Sequence, residues 1–140
     1  MIISIQGSVN SSGLLIYDIP NIYFDRRYSY KVGVHHLYFE LQPTPNNRLL
    51  ADNELLCLST NMVDLSAANS TQSIFHLSYD AKKKSIQHSK VNSIVFQALH
   101  LFELENVSFV IKRQFADQTL DIKNIFIQIE IIKIDPYGRV

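Results

Sequence analysis

The sequence predicts an all-β fold, an antiparallel β-sandwich built as a single jelly roll of about eight strands. Three observations carry this expectation. Apolar residues recur with period two and are rich in isoleucine, valine and phenylalanine, which suit a pleated surface. The runs are short and separated by uneven polar stretches, and none shows a helix-length apolar stripe. Uneven, partly long connections fit Greek-key crossings over the ends of a sandwich better than a simple meander. At 140 residues the chain forms one domain, 1–140, able to bury about two thirds of its unfolded surface without metal or disulfide.

The clearest strands lie in the last quarter. In Asn124–Ile134, Ile125, Ile127, Ile129 and Ile131 share one side, with Phe126, Gln128, Glu130, Ile132 and Ile134 on the other. In Glu105–Lys112, Val107, Phe109 and Ile111 share a face. These two runs are expected to pair as an antiparallel hairpin at the centre of the sandwich, with an extended tip or small extra hairpin around Ala116-Asp-Gln118.

Taken from the start, Ile2, Ile3 and Ile5 open a strand that Gly7 closes, and Leu14–Tyr17 forms the next. Pro20 marks an edge or crossing, because proline cannot donate to a ladder, and Asp25-Arg-Arg27 turns the chain. Tyr28, Tyr30, Val32 and Val34 alternate, and the apolar phase then moves to Leu37, Phe39 and Leu41. A one-residue phase change inside a strand predicts a β-bulge at Gly33 to His36.

Gln42 to Asn53, with two prolines and three asparagines, predicts a long loop. Glu54–Thr60 is apolar on both faces, hence a buried strand. Ser73–Tyr79 is expected to turn Phe75, Leu77 and Tyr79 inward. Asp80 to Asn92 is expected to be a second long loop, followed by strands over Ser93–Phe96 and Leu99–Leu104 with a bend at Gln97-Ala98.

Composition narrows the function. Thirteen basic and thirteen acidic residues cancel, so no global field draws the chain to nucleic acid or an anionic membrane. The four glycines, Gly7, Gly13, Gly33 and Gly138, are too scattered to cradle a phosphate, and no serine sits in a nucleophile elbow. No catalytic residue, cofactor or metal is expected. His35 and His36, adjacent in a strand, should face opposite ways, and His76, His88 and His100 lack ligand-like spacing. Glu103 and Glu105 form no more than a wet edge. Cys57, inside Leu55-Leu-Cys-Leu58, is expected to be a buried thiol, consistent with a reducing compartment. The amino-terminal segment lacks secretory features, and no run approaches the eighteen or so apolar residues of a membrane span, so the sequons at Asn10, Asn69 and Asn106 are expected to be unmodified.

Two features hold functional alternatives. Lys82, Lys83 and Lys84 form a basic cluster that is either a solvated loop or a phosphate contact, and no aromatic residues interleave to stack on bases. The outward side of the last strand carries Phe126, Ile132 and Ile134, which are either covered by the chain's own loops or form a subunit interface.

The order of elements resembles small structural proteins of the Polinton (Maverick), adintovirus and virophage-related group. The similarity lies in Ile19-Pro-Asn-Ile-Tyr-Phe-Asp25, in Tyr30-Lys-Val-Gly-Val-His-His-Leu37, in the leucine-rich Leu55 to Leu65, and in the ending from Leu104 to Ile131. The polar tip from Arg113 to Thr119 departs from the pattern in lacking a glycine. The resemblance implies a single-jelly-roll virion component, a minor capsid, penton-like or spike protein. Such a protein packs identical copies, as a trimer or pentamer beside other capsid proteins, and has no catalytic residue. The balanced charge and the lack of an apolar span add the expectation of no membrane partner. The alternative is a monomeric sandwich whose long loops, Gln42 to Asn53 and Asp80 to Asn92, recognise a glycan or a protein.

Overall fold

A computed structural model describes residues 1–8, 14–17, 25, 27–63, 73–83, 85–90, 94–99, 107–116 and 118–134. In chain order the strands are β1 (Ile2–Ser8), β2 (Leu14–Tyr17), β3 (Ser29–Leu41), β4 (Leu55–Thr60), β5 (Ser73–Ser78), β6 (Ile86–Lys90), β7 (Gln97–Ala98), β8 (Val107–Arg113), β9 (Gln118–Thr119) and β10 (Ile122–Ile134). Among the described residues one short helix, α1 (Pro45–Arg48), interrupts the loop after β3.

Two antiparallel sheets face each other. The first runs β1-β10-β3-β6 with β7 also on β3, and the second runs β2-β8-β4-β5 with β9 also on β8. The pairs β1 with β10, β2 with β8, β3 with β6 and β4 with β5 nest inside one another along the chain. Consecutive members of this nest alternate between the sheets. The molecule is thus an all-β sandwich, as its alternation and turn spacing predict.

The core lies between the two inner faces. Ile125, Ile127, Ile129 and Ile131 of β10, with Val32, Val34, Leu37, Phe39 and Leu41 of β3 and Ile5 of β1, meet Val107, Phe109 and Ile111 of β8 and Leu56 and Leu58 of β4. Cys57 is buried as a free thiol.

The expected terminal hairpin is overturned. β8 and β10 each sit inside a different sheet, β8 between β2 and β4 and β10 between β1 and β3. Their inward isoleucine and phenylalanine rows pack through the core and not edge to edge. The connection between them does hold the small extra hairpin, in which Lys112 and Arg113 pair with Thr119 and Gln118.

The phase change in β3 is a bulge. Val34 pairs with Ile129 and His36 with Gln128, so His35 has no direct partner on β10. Both apolar phases therefore point inward along one continuous strand. Just before it, Gly33 is buried against another segment. A Cβ there would collide with Ile94 Cγ2 and lie 3.1 Å from both Phe96 Cδ1 and the Val95 carbonyl oxygen. Residues 94–96 thus cross the outward side of the first sheet, and the missing side chain lets them do so.

Three further expectations are corrected and one, for β5, is extended. The Gln42–Asn53 loop contains α1, because Thr44 caps it, accepting from the Asn47 amide, and Pro45 begins it. In β5 and just after it, Leu77 and Tyr79 are buried and Phe75 packs half-buried against the core as expected, but a register shift opposite Leu58 and Ser59 adds Ile74 to the buried set. The second loop ends early, since Ile86–Lys90 is a strand on the sheet edge. Only Gln87 of that strand is buried, so no apolar alternation announces it. Residues 94–96 are not a strand, and the expected bend at Gln97-Ala98 is instead the short strand β7 on β3.

Candidate functional site

The outward face of the first sheet is where unusual side chains gather. β10 runs through its middle and presents Phe126, Gln128, Glu130, Ile132 and Ile134. Phe126, Ile132 and Ile134 are all half-buried. Ile132 lies opposite Lys31, close to Gly33, where residues 94–96 cross. Ile2 on β1 and Ile86 on β6 add exposed apolar surface to the same face.

The bulge changes what the histidines can do. Simple alternation would put His35 and His36 on opposite faces, yet both point outward. Skipping one ladder position places two successive side chains on the same side. His35 Nε2 lies 2.7 Å from Glu130 Oε2, each side chain 28% exposed. His36 Nε2 meets His88 Nε2 of β6, with ring centroids 4.5 Å apart. The Phe126 ring packs edge-on against His36 at 5.4 Å, and Tyr38 packs similarly against His88 at 6.2 Å. Partial burial, then the neighbouring His88 and Lys90, push the His36 pKa below its ordinary value.

The end of the sandwich holds a second feature, a cleft of about 600 Å³ lined by Glu40, Gln42, Asn47, Arg48, Tyr79 and Lys123 among others. Its wall is set by Asn47, which is buried. The Asn47 amide donates to the carbonyls of Gln42 (2.8 Å) and Asp121 (2.7 Å), and its oxygen accepts from the Asp121 amide at 3.2 Å. Thr44 adds a bond to the Asp121 carboxylate at 2.6 Å. The charged groups at the mouth are mixed, Lys123 lying 3.8 Å from Glu40.

Lys82 and Lys83 lie nearby on an exposed turn, while Lys84 falls outside the described residues. The turn is an Asp80 motif in which the Asp80 carboxylate accepts from the Lys82 amide and the Asp80 carbonyl from the Lys83 amide. Asp52 accepts from the Ala81 amide at 3.0 Å. Two carboxylates thus sit among the lysines, a geometry that serves the turn. Arg27 closes its own turn on the Asp25 carboxylate, which it holds down at about 2. Arg26, His100, Glu103, Glu105 and the three sequons lie outside the described residues, as do residues 19–24, which carry part of the resemblance.

Glu54 and Arg113 tie the start of β4 to the end of β8, with Nε–Oε2 at 2.5 Å and a second bond from Nη2 to Oε1 at 2.9 Å. Both side chains are less than one-fifth exposed. Glu54→Gln should cost about 1–2 kcal/mol in urea unfolding, since Arg113 keeps its charge but loses the carboxylate opposite it and one of its two acceptor oxygens. The bond to Arg113 holds the Glu54 pKa below its ordinary value of about 4.5. The unfolded carboxyl therefore takes its proton first as pH falls. The contribution is complete above about pH 4.5 and is lost as pH drops through the folded value. The variant should show a flatter acid limb in a stability-against-pH series.

Among the described residues no three histidine, cysteine or acidic side chains converge on a point, and no helix is long and apolar enough to cross a membrane. Composition alone does not reveal Asn47, Gln87 or the His36–His88 pair, because each acquires its role from a partner distant in the chain. The local signals are the Thr44-Pro45 cap and the phase change at the bulge. No protein-family model matches this chain, and no curated protein matches it either.

Proposed function

We propose that this chain is a viral structural protein, a minor capsid, penton-like or spike component that works by packing identical copies as a trimer or pentamer beside other capsid proteins. The nested antiparallel pairs support reading the sandwich as a single jelly roll, an architecture that recurs in capsid shells and also in lectins. The observation that carries the assembly reading is the outward row Phe126, Ile132 and Ile134 on a central strand, on a face that also exposes Ile2 and Ile86. A symmetric assembly covers such a face with the same surface of its neighbours. On this reading the protein is made in the host cell and resides in the virion, without catalysis and without a cofactor.

The test is solution mass by light scattering across a dilution series. A concentration-independent trimer or pentamer is expected, and Ile132→Lys with Ile134→Lys should convert it to a folded monomer. A wild-type monomer at high concentration overturns the proposal. The cleft at the end of the sandwich favours a second reading, a monomeric module that takes a glycan or protein segment among Gln42, Arg48 and Tyr79. Saturable glycan binding by a monomer, abolished by Arg48→Ala, would establish that reading in place of the first.

A further inference from the structure

We propose that His36 and His88 form a two-imidazole site for a borderline divalent transition-metal ion of the Zn²⁺, Ni²⁺ or Cu²⁺ class. Every residue it uses lies on one chain, so the site is complete on the free outward face without a partner copy. His36 sits opposite Lys90 on β6 and His88 opposite Tyr38 on β3, so the two histidines are diagonal neighbours on adjacent strands. Both side chains point outward, and their Nε2 atoms meet head-on. In that arrangement the in-plane lone pairs of the two nitrogens converge on one region of space. A single proton can occupy it when the rings hold opposite tautomers, and a cation accepting both lone pairs can replace that proton once side-chain rotation parts the nitrogens to about 2.0–2.1 Å from the ion on each side.

Each ring has an aromatic neighbour. Phe126 meets His36 edge-on and Tyr38 meets His88 nearly so, which favours outward rotamers for the pair while leaving exposed His88 room to turn. Both histidines lie on paired strands and not on loops, the placement that keeps a ligand pair in register.

The donor set selects the metal. Two imidazoles favour Zn²⁺, Ni²⁺ and Cu²⁺, whereas Mg²⁺ and Ca²⁺ require oxygen ligands. Glu130, an acidic group on the same face, is engaged by His35. With two protein ligands the remaining positions open outward to water, so binding is weaker than in a closed four-ligand zinc site. Lys90, in register with His36 but exposed, opposes the cation and lowers affinity further.

The experiment titrates the full chain with NiCl₂ and ZnCl₂ at neutral pH. Calorimetry should give one ion per chain. The apparent Tm should rise by about 5–10 °C at a metal concentration roughly one hundred times Kd. His36→Gln and His88→Gln should each lower affinity at least about tenfold, in the range seen when a metal site loses support, while His76→Gln on the other sheet leaves it unchanged. MgCl₂ should have no effect. Because a variant can lose stability for its own reasons, the wild type supplies a second readout: Ni²⁺ should broaden the imidazole resonances of two of the five histidines. Absence of a saturable Ni²⁺ or Zn²⁺ response, an unchanged response in both glutamine variants, or broadening confined to other histidines would each overturn the proposal.

Discussion

Phe39→Ala is expected to destabilise the protein by about 3–5 kcal/mol, the range for removing a fully buried aromatic side chain. Phe39 has no solvent exposure and lies two residues before the end of β3, opposite Ile125 on β10 and Gln87 on β6. Its ring therefore fills the core at the strand shared by two ladders of the first sheet. Strands paired on both sides cannot shift toward the vacated space without breaking ladder bonds, so relaxation is limited and the cavity term is large. For a domain of this size the loss corresponds to a fall in Tm of roughly 10–20 °C. Thermal unfolding followed by circular dichroism reads it directly. Phe39→Leu, which leaves a smaller void, should cost about a third as much. Equal losses for the two substitutions would mean that packing at this position is not what holds β3.

Asn47→Ala should cost about 2–4 kcal/mol, through polar atoms and not apolar ones. The Asn47 side chain uses both ends, donating to two carbonyls and accepting from one amide, and two of these three bonds run to Asp121. Alanine leaves the Asp121 amide and carbonyl without these partners in a partly buried corner. The penalty for an unsatisfied buried group exceeds the net value of the bond it lost. The effect should also be local. Hydrogen exchange should accelerate at residues 42–50 and 121 while the amides of β4 and β8 keep their protection. Asn47→Asp should recover only part of the loss, since its carboxylate still accepts from the Asp121 amide but cannot donate to either carbonyl.

These two residues differ in how visible they are in the sequence. Phe39 belongs to an alternating run whose inward side is readable from its immediate neighbours, and so do Phe109 and Ile127. The bulge is readable for the same reason: when the apolar phase slips by one residue between Val34 and Leu37, an extra residue in the strand is what keeps both halves facing the core. Asn47 sits among prolines and asparagines that mark a loop in general terms, and nothing nearby says that its side chain reaches Asp121. Gln87 and the strand around it are hidden differently. An edge strand with polar residues on its wet face has only one inward position to signal it, and that position is a glutamine whose amide is satisfied by the Asp80 backbone.

Local alternation is thus sufficient for the sandwich class, for most strands and for the inward side of each. It cannot choose strand neighbours, because the inner faces of both sheets carry the same apolar pattern, and ladder bonds join backbone groups that are alike at every residue. That is why β8 and β10, consecutive among the long strands, lie in opposite sheets and not in one hairpin. The same long-range pairing brings His36 of β3 beside His88 of β6. It also places Glu130 within reach of His35, and Asn47 against a corner 74 residues away. Period two is a property of one strand, whereas each of these contacts is a property of two.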